Sequence, residues 1–75
     1  MSQVLMSRPA THVASELTES CDRCGFPAKL TVALAVGGAL AFCGHHGNRY
    51  SAMILDVADS VVIETGFVWR GTTAA

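Results

Sequence analysis

Charged residues are scarce in this sequence. They make up 15% of the 75 residues, the formal net charge is −1, and like charges do not cluster into runs. A domain that binds DNA or RNA normally carries a basic face. The composition therefore disfavours nucleic-acid binding as the main role. The hydrophobic fraction of 51% predicts apolar surface that is buried in a core or against a partner.

A long apolar segment and a signal peptide are also lacking. The longest run with almost no polarity, residues 30–42, is shorter than the roughly 20 residues of a membrane helix. The N-terminus has no basic start followed by a sustained apolar stretch. We therefore expect a cytoplasmic protein with no membrane segment. Residues 1–20 are expected to form a flexible tail, with a short helix around Thr11–Leu17 as the alternative.

The number of cysteines is odd. Cys21, Cys24 and Cys43 are the three in the chain, and disulfides alone would leave one over. In a reducing compartment such residues usually serve metal binding or catalysis. With His46 they make a C-x-x-C…C-x-x-H pattern, which is the spacing of a four-ligand zinc site. His45 is the alternative fourth ligand, but the spacing of His46 repeats that of the first pair and suits the first turn of a helix.

The residues after the first cysteine pair predict a knuckle and then a β-hairpin. Gly25 permits a tight turn, in which Asp22 and Arg23 are expected to point into solvent. Pro27 disfavours the helix that a redox C-x-x-C motif requires. Apolar residues then alternate with period two on both sides of a Gly-Gly dipeptide, which predicts two paired strands, the second leading into the third cysteine.

A helix is predicted after the hairpin. From Asn48 onward, apolar residues recur every three or four positions, and the pattern ends around Ile63–Gly66. The zinc-bound domain is then expected to cover residues 21–70, with a frayed end at 71–75. The fold class is a small α+β domain, in which a zinc knuckle, a β-hairpin and an α-helix follow one another.

That order of elements resembles a treble-clef zinc finger. More narrowly, the C-D-R-C-G start, the Gly-Gly hairpin and the F-C-G-H-H-G end resemble a family of short, uncharacterised zinc-binding proteins of actinobacteria and their phages. The resemblance implies four zinc ligands, namely Cys21, Cys24, Cys43 and one of His45 or His46. It implies nothing about a substrate.

A closed set of four protein ligands predicts one structural Zn²⁺, because a catalytic zinc keeps an open position. The nuclease type of treble clef also needs a histidine on the first hairpin strand, and residues 28–36 have none. We therefore expect no enzyme. The preferred function is a structural-zinc module for protein–protein interaction or self-association through apolar surface. Phe67 and Trp69 are its candidate anchors, unless they fold back to finish the core.

Two other functions stay open from the sequence. The first is a nucleic-acid-binding finger that acts as a transcription accessory, if the basic residues converge on one face. These residues are Arg23, Lys29, Arg49 and Arg70. The second, a minor one, is a redox or metal sensor that releases zinc when its thiolates are oxidised.

Overall fold

The computed structural model describes residues 9–73, which form a four-stranded sheet and three short helices. The strands are β1 (Ala10–Ala14), β2 (Leu30–Leu34), β3 (Ala39–Phe42) and β4 (Ala58–Glu64). The helices are α1 (Gly44–Arg49), α2 (Ser51–Val57) and α3 (Arg70–Thr73). The strand order is β1-β4-β2-β3, with β1 parallel to β4 and the other neighbours antiparallel. The expected α+β class is confirmed.

The predicted hairpin is present. Strands β2 and β3 pair with Leu30 opposite Phe42. Gly37 and Gly38 in the connecting turn have φ angles of 105° and 86°. Glycine adopts such angles at little cost because it has no Cβ. The Gly-Gly dipeptide is therefore the local reason that the chain reverses here and sends β3 toward the third cysteine.

The prediction of one helix from Asn48 to about Ile63–Gly66 is wrong for the residues after Val57. Helix α1 ends at Arg49 and α2 ends at Val57, and the chain then forms β4. This strand contains a β-branched run, which packs well in a sheet and has reduced helix propensity. Two residues of the run, Val61 and Ile63, are buried on the side of the sheet that packs against the helices. Pairing with β2 therefore overrides the helical spacing of the apolar residues.

The segment predicted to be a tail contributes a strand. β1 pairs with β4 in register from Ala10–Ser60 to Ala14–Glu64. The same strand replaces the alternative helix around Thr11–Leu17. Four of its five residues are exposed, so the sequence carries no apolar alternation that would reveal it. The remaining parts of the predicted tail and frayed end, residues 1–8 and 74–75, lie outside the described residues.

The core lies between one face of the sheet and the helices. Its largest fully buried side chains are Trp69, Leu30, Ile54, Val32 and Val61. The structure thus shows the fold-back interpretation for Trp69, which is no exposed anchor, whereas Phe67 packs at the margin of the core. Within residues 9–73, no helix is long and apolar enough to cross a membrane.

Candidate metal site

The loop that carries the first cysteine pair is held by its own backbone. The Cys21 N–H donates to the Phe26 carbonyl at 2.7 Å, and the Gly25 N–H donates to the Cys21 carbonyl at 2.8 Å. Gly25 closes the turn with a φ of 81°, in the left-handed region that glycine enters most readily. The turn brings Cys21 and Cys24 to one side of the loop, as a knuckle requires.

The second pair stands at the start of α1. Cys43 is the N-cap residue, and its Sγ accepts the backbone N–H of His46 at 3.4 Å. One helical turn returns the His46 ring to the cysteine, with 3.4 Å between Nδ1 and Sγ. Cys43 directly follows the second strand of the hairpin, and the first turn of α1 places His46 next to it.

The structure brings these four side chains together. One donor atom from each lies within 4.8 Å of all the others. The Sγ atoms of Cys24 and Cys43 are 3.7 Å apart, and the Cys21 Sγ lies 3.6 Å from the His46 Nδ1.

These separations can be compared with a zinc tetrahedron. Bond lengths of about 2.3 Å to sulfur and about 2.05 Å to nitrogen give edges of about 3.8 Å (S–S) and about 3.6 Å (S–N). The closest pairs in the cluster, at 3.4 to 3.7 Å, differ from these edges by no more than about 0.2 Å. The remaining donor atoms are at most 4.8 Å apart, so the four residues could hold a four-coordinate metal ion of this size.

Backbone amides adjust the protonation of the thiols. Burial raises the pKa of Cys21, but hydrogen bonds from the backbone of Cys43, Arg23 and Cys24 outweigh it, and the pKa falls to about 6. The pKa of Cys24 is raised. The Phe26 backbone hydrogen bond lowers it, but desolvation and the neighbouring sulfur atoms outweigh that effect. Because a metal binds the thiolate, the protein alone already prepares Cys21 as a ligand.

Aromatic and cationic groups surround the histidine. The Tyr50 ring stacks on the His46 ring at 5.9 Å between centroids and 10° between planes. The Arg23 guanidinium lies 5.6 Å from the Tyr50 ring centroid, so it does not simply point into solvent. The His45 ring meets His46 edge-on at 5.0 Å and is not part of the donor group. These contacts orient the His46 ring.

Asp22 positions the knuckle through contacts that the sequence does not predict. Its carboxylate accepts the Ala41 N–H at 2.7 Å, and its own N–H donates to the Ala41 carbonyl at 2.8 Å. These two bonds tie the knuckle to β3, the strand that leads to the third cysteine. No local pattern signals this role, because the two residues are far apart in the chain.

The fold and the site define a small α+β domain with a Cys₃His group that could bind a metal ion. A family model described as a domain of unknown function, DUF7455, matches residues 15–68. The match covers more than half of the chain and includes all four donor residues, so the protein belongs to this family. No curated protein and no solved structure matches the chain.

Proposed function

We propose that this protein is a cytoplasmic structural-zinc module that mediates protein–protein interaction and performs no catalysis. The observation that carries the proposal is the closed Cys₃His donor group. Thiolate and imidazole donors in a tetrahedral arrangement suit Zn²⁺. Four protein ligands leave no open position for a water molecule or a substrate, which is what distinguishes a structural zinc from a catalytic one.

The arrangement of the donors supports a treble-clef-like assignment. The first pair lies on a knuckle, a hairpin follows, and the second pair stands at the start of a helix. The same order motivates the resemblance to short actinobacterial and phage zinc proteins. Strands β1 and β4 are then additions that extend the hairpin into a four-stranded sheet.

Zinc would contribute much of the folding free energy. Structural zinc sites in small domains bind with an apparent free energy on the order of 10 kcal/mol. A domain of 75 residues has a total stability of about 4–11 kcal/mol. The metal would therefore decide whether the knuckle and α1 stay attached to the sheet.

Exposed apolar side chains support an interaction role. Val13 and Phe26 are each 68% exposed, and Val68 is 72% exposed. The chain also has few charged residues. Contacts between apolar surfaces would therefore be the main source of affinity for a partner.

A cobalt titration tests the zinc assignment. Tetrahedral cobalt bound to thiolates gives intense visible and near-ultraviolet absorption, and we expect saturation at about one ion per chain. The matched pair His46→Ala and His45→Ala separates the two histidines. Only the first should weaken binding and alter the spectrum.

Chelation is the second arm of this test. A strong chelator should remove the circular dichroism of the helices, and zinc should restore it. Metal-free protein that keeps its native spectrum, or a chain that binds no cobalt, would show that the site is not a structural zinc site.

The nucleic-acid-binding alternative gains no support from the basic residues. Lys29 Nζ lies 2.6 Å from Glu64 Oε2 in an ion pair, and Arg23 lies on the Tyr50 ring. Salt-dependent binding to duplex DNA or RNA that is lost in Arg49→Glu would nevertheless favour it over the interaction module.

A further inference from the structure

The two edges of the sheet are protected to different degrees. At the β3 edge, Asp22 occupies both outward backbone groups of Ala41. At the other edge, no strand lies beyond β1 in the part of the chain that the structure describes. An open edge strand offers a row of donors and acceptors to another strand.

The pairing with β4 determines which β1 backbone groups face outward. The Ala14 carbonyl accepts the Thr65 N–H at 2.8 Å, so Ala14 faces β4. Backbone direction alternates along a strand. His12 therefore also faces β4, whereas Thr11 and Val13 direct an N–H and a carbonyl each toward the open side.

After Pro9, which directly precedes it, β1 contains no charged residue and no proline that would block strand pairing. Its five residues, ATHVA, include no Lys, Asp, Glu or Pro, and its pairing with β4 shows no bulge. Natural edge strands usually carry one of these devices. The exposed side chain of Val13, at 68%, would lose water contact if a strand were added here.

We propose that a second copy of this chain binds here, with the two β1 strands antiparallel and His12 at the twofold axis. Thr11 then lies opposite the partner's Val13, and Val13 lies opposite the partner's Thr11. Each opposed pair exchanges two hydrogen bonds. The dimer has four such bonds across one continuous eight-stranded sheet. The proposal rests on the interaction role above and names the partner.

A second copy of the same strand can satisfy all the outward groups. The two outward residues are two positions apart, so a twofold rotation about the residue between them places each one opposite the other. Twofold symmetry is the commonest form of homo-oligomer. The absence of Asp, Glu, Lys and Arg from β1 means that self-pairing brings no permanent like charges together.

Sedimentation of the zinc-loaded full chain tests the dimer. We expect a concentration-dependent dimer, together with slower exchange of the Thr11 and Val13 amide protons as concentration rises. Val13→Pro removes an outward N–H from each copy while leaving the bonds to β4, as proline allows in edge strands. It should weaken the dimer about a hundredfold, because two of the four bonds are lost and the ring obstructs pairing.

Charge variants at the axis give a readout that does not depend on the proline variant. Opposed residues in the His12 pair have Cα atoms about 4.5 Å apart. His12→Glu and His12→Lys should each dimerise more weakly, by about fivefold, and a mixture of the two should restore association. Val36→Glu and Val36→Lys, at a side chain 94% exposed on the hairpin turn, are the matched controls and should change nothing.

The outcomes separate this proposal from the zinc proposal. A folded, zinc-loaded chain that stays monomeric at all concentrations would overturn the dimer alone. A dimer that is as strong in both His12 variants as in the wild type, and unaffected by mixing them, would place the interface elsewhere. A dimer that persists in folded, metal-free protein would overturn the structural zinc but not the β1 interface.

Discussion

Replacing Trp69 by phenylalanine tests whether the C-terminal segment completes the core. The indole is 1% exposed, and its Nε1 donates to the Gly47 carbonyl at 2.8 Å. Gly47 lies in α1, directly after His46. The indole therefore connects the end of the chain to the helix that carries the metal-site histidine. Phenylalanine keeps an aromatic ring but loses three heavy atoms, one of which is the nitrogen of the N–H group.

Two contributions determine the expected loss of stability. The missing hydrogen bond costs about 1–2 kcal/mol, because the Gly47 carbonyl loses its indole partner. The smaller ring removes roughly 40 Å² of buried apolar area, or about 1 kcal/mol. The free energy of unfolding should therefore fall by about 2–3 kcal/mol, which lowers the melting temperature of a domain of this size by about 10–20 °C.

The measurement is thermal unfolding followed by circular dichroism at a fixed concentration of free zinc. Val68→Ala is the matched control, because this neighbouring side chain is 72% exposed and its loss should change stability by less than about 0.5 kcal/mol. Equal stability of the Trp69→Phe variant and the wild type would refute the reasoning. It would return Trp69 to the surface, where an interaction anchor belongs.

Three further changes test single contacts. Hydrogen bonding to Lys29 lowers the pKa of Glu64, so the pair stabilises the fold above about pH 4.5, and this stabilisation is lost as the pH falls through the lowered pKa. The melting temperatures of Glu64→Gln and wild type should differ at pH 7, and the difference should shrink as the pH falls below about 4.5. Asp22→Ala should cost about 1–2 kcal/mol and weaken cobalt binding, because it frees the knuckle from Ala41, whereas Asp22→Asn, which keeps an acceptor, should cost less. Gly25→Ala has open space around it but a φ of 81°, so urea unfolding should show a loss of about 1 kcal/mol from backbone strain alone.

The metal-site candidates could be predicted from the sequence because their geometry is mostly local. Two residues between the cysteines and a following glycine make the knuckle. Two residues between Cys43 and His46 make one helical turn, in which the cysteine also caps the helix. The alternation on each side of the Gly-Gly dipeptide predicts the hairpin for the same reason. That a metal occupies the site stays a prediction.

The errors fall where contacts are distant in sequence. The residues after Val57 have helical spacing, but pairing with β2 makes them a strand. β1 has no pattern of its own and exists through its register with a strand about 50 residues later. Asp22 is exposed as expected, but the sequence did not predict the two hydrogen bonds that tie this residue to β3.

By itself, the sequence determined the candidate ligand types, their spacing, the hairpin and the low charge, because these depend on residues a few positions apart. Only the tertiary structure decided that Trp69 belongs to the core, that β4 joins β2 to β1, and that β1 is the outermost strand of residues 9–73 on its side of the sheet. Those features depend on which distant segments pack together. Local propensity is too weak to determine them, since burial and backbone pairing across the whole chain outweigh it.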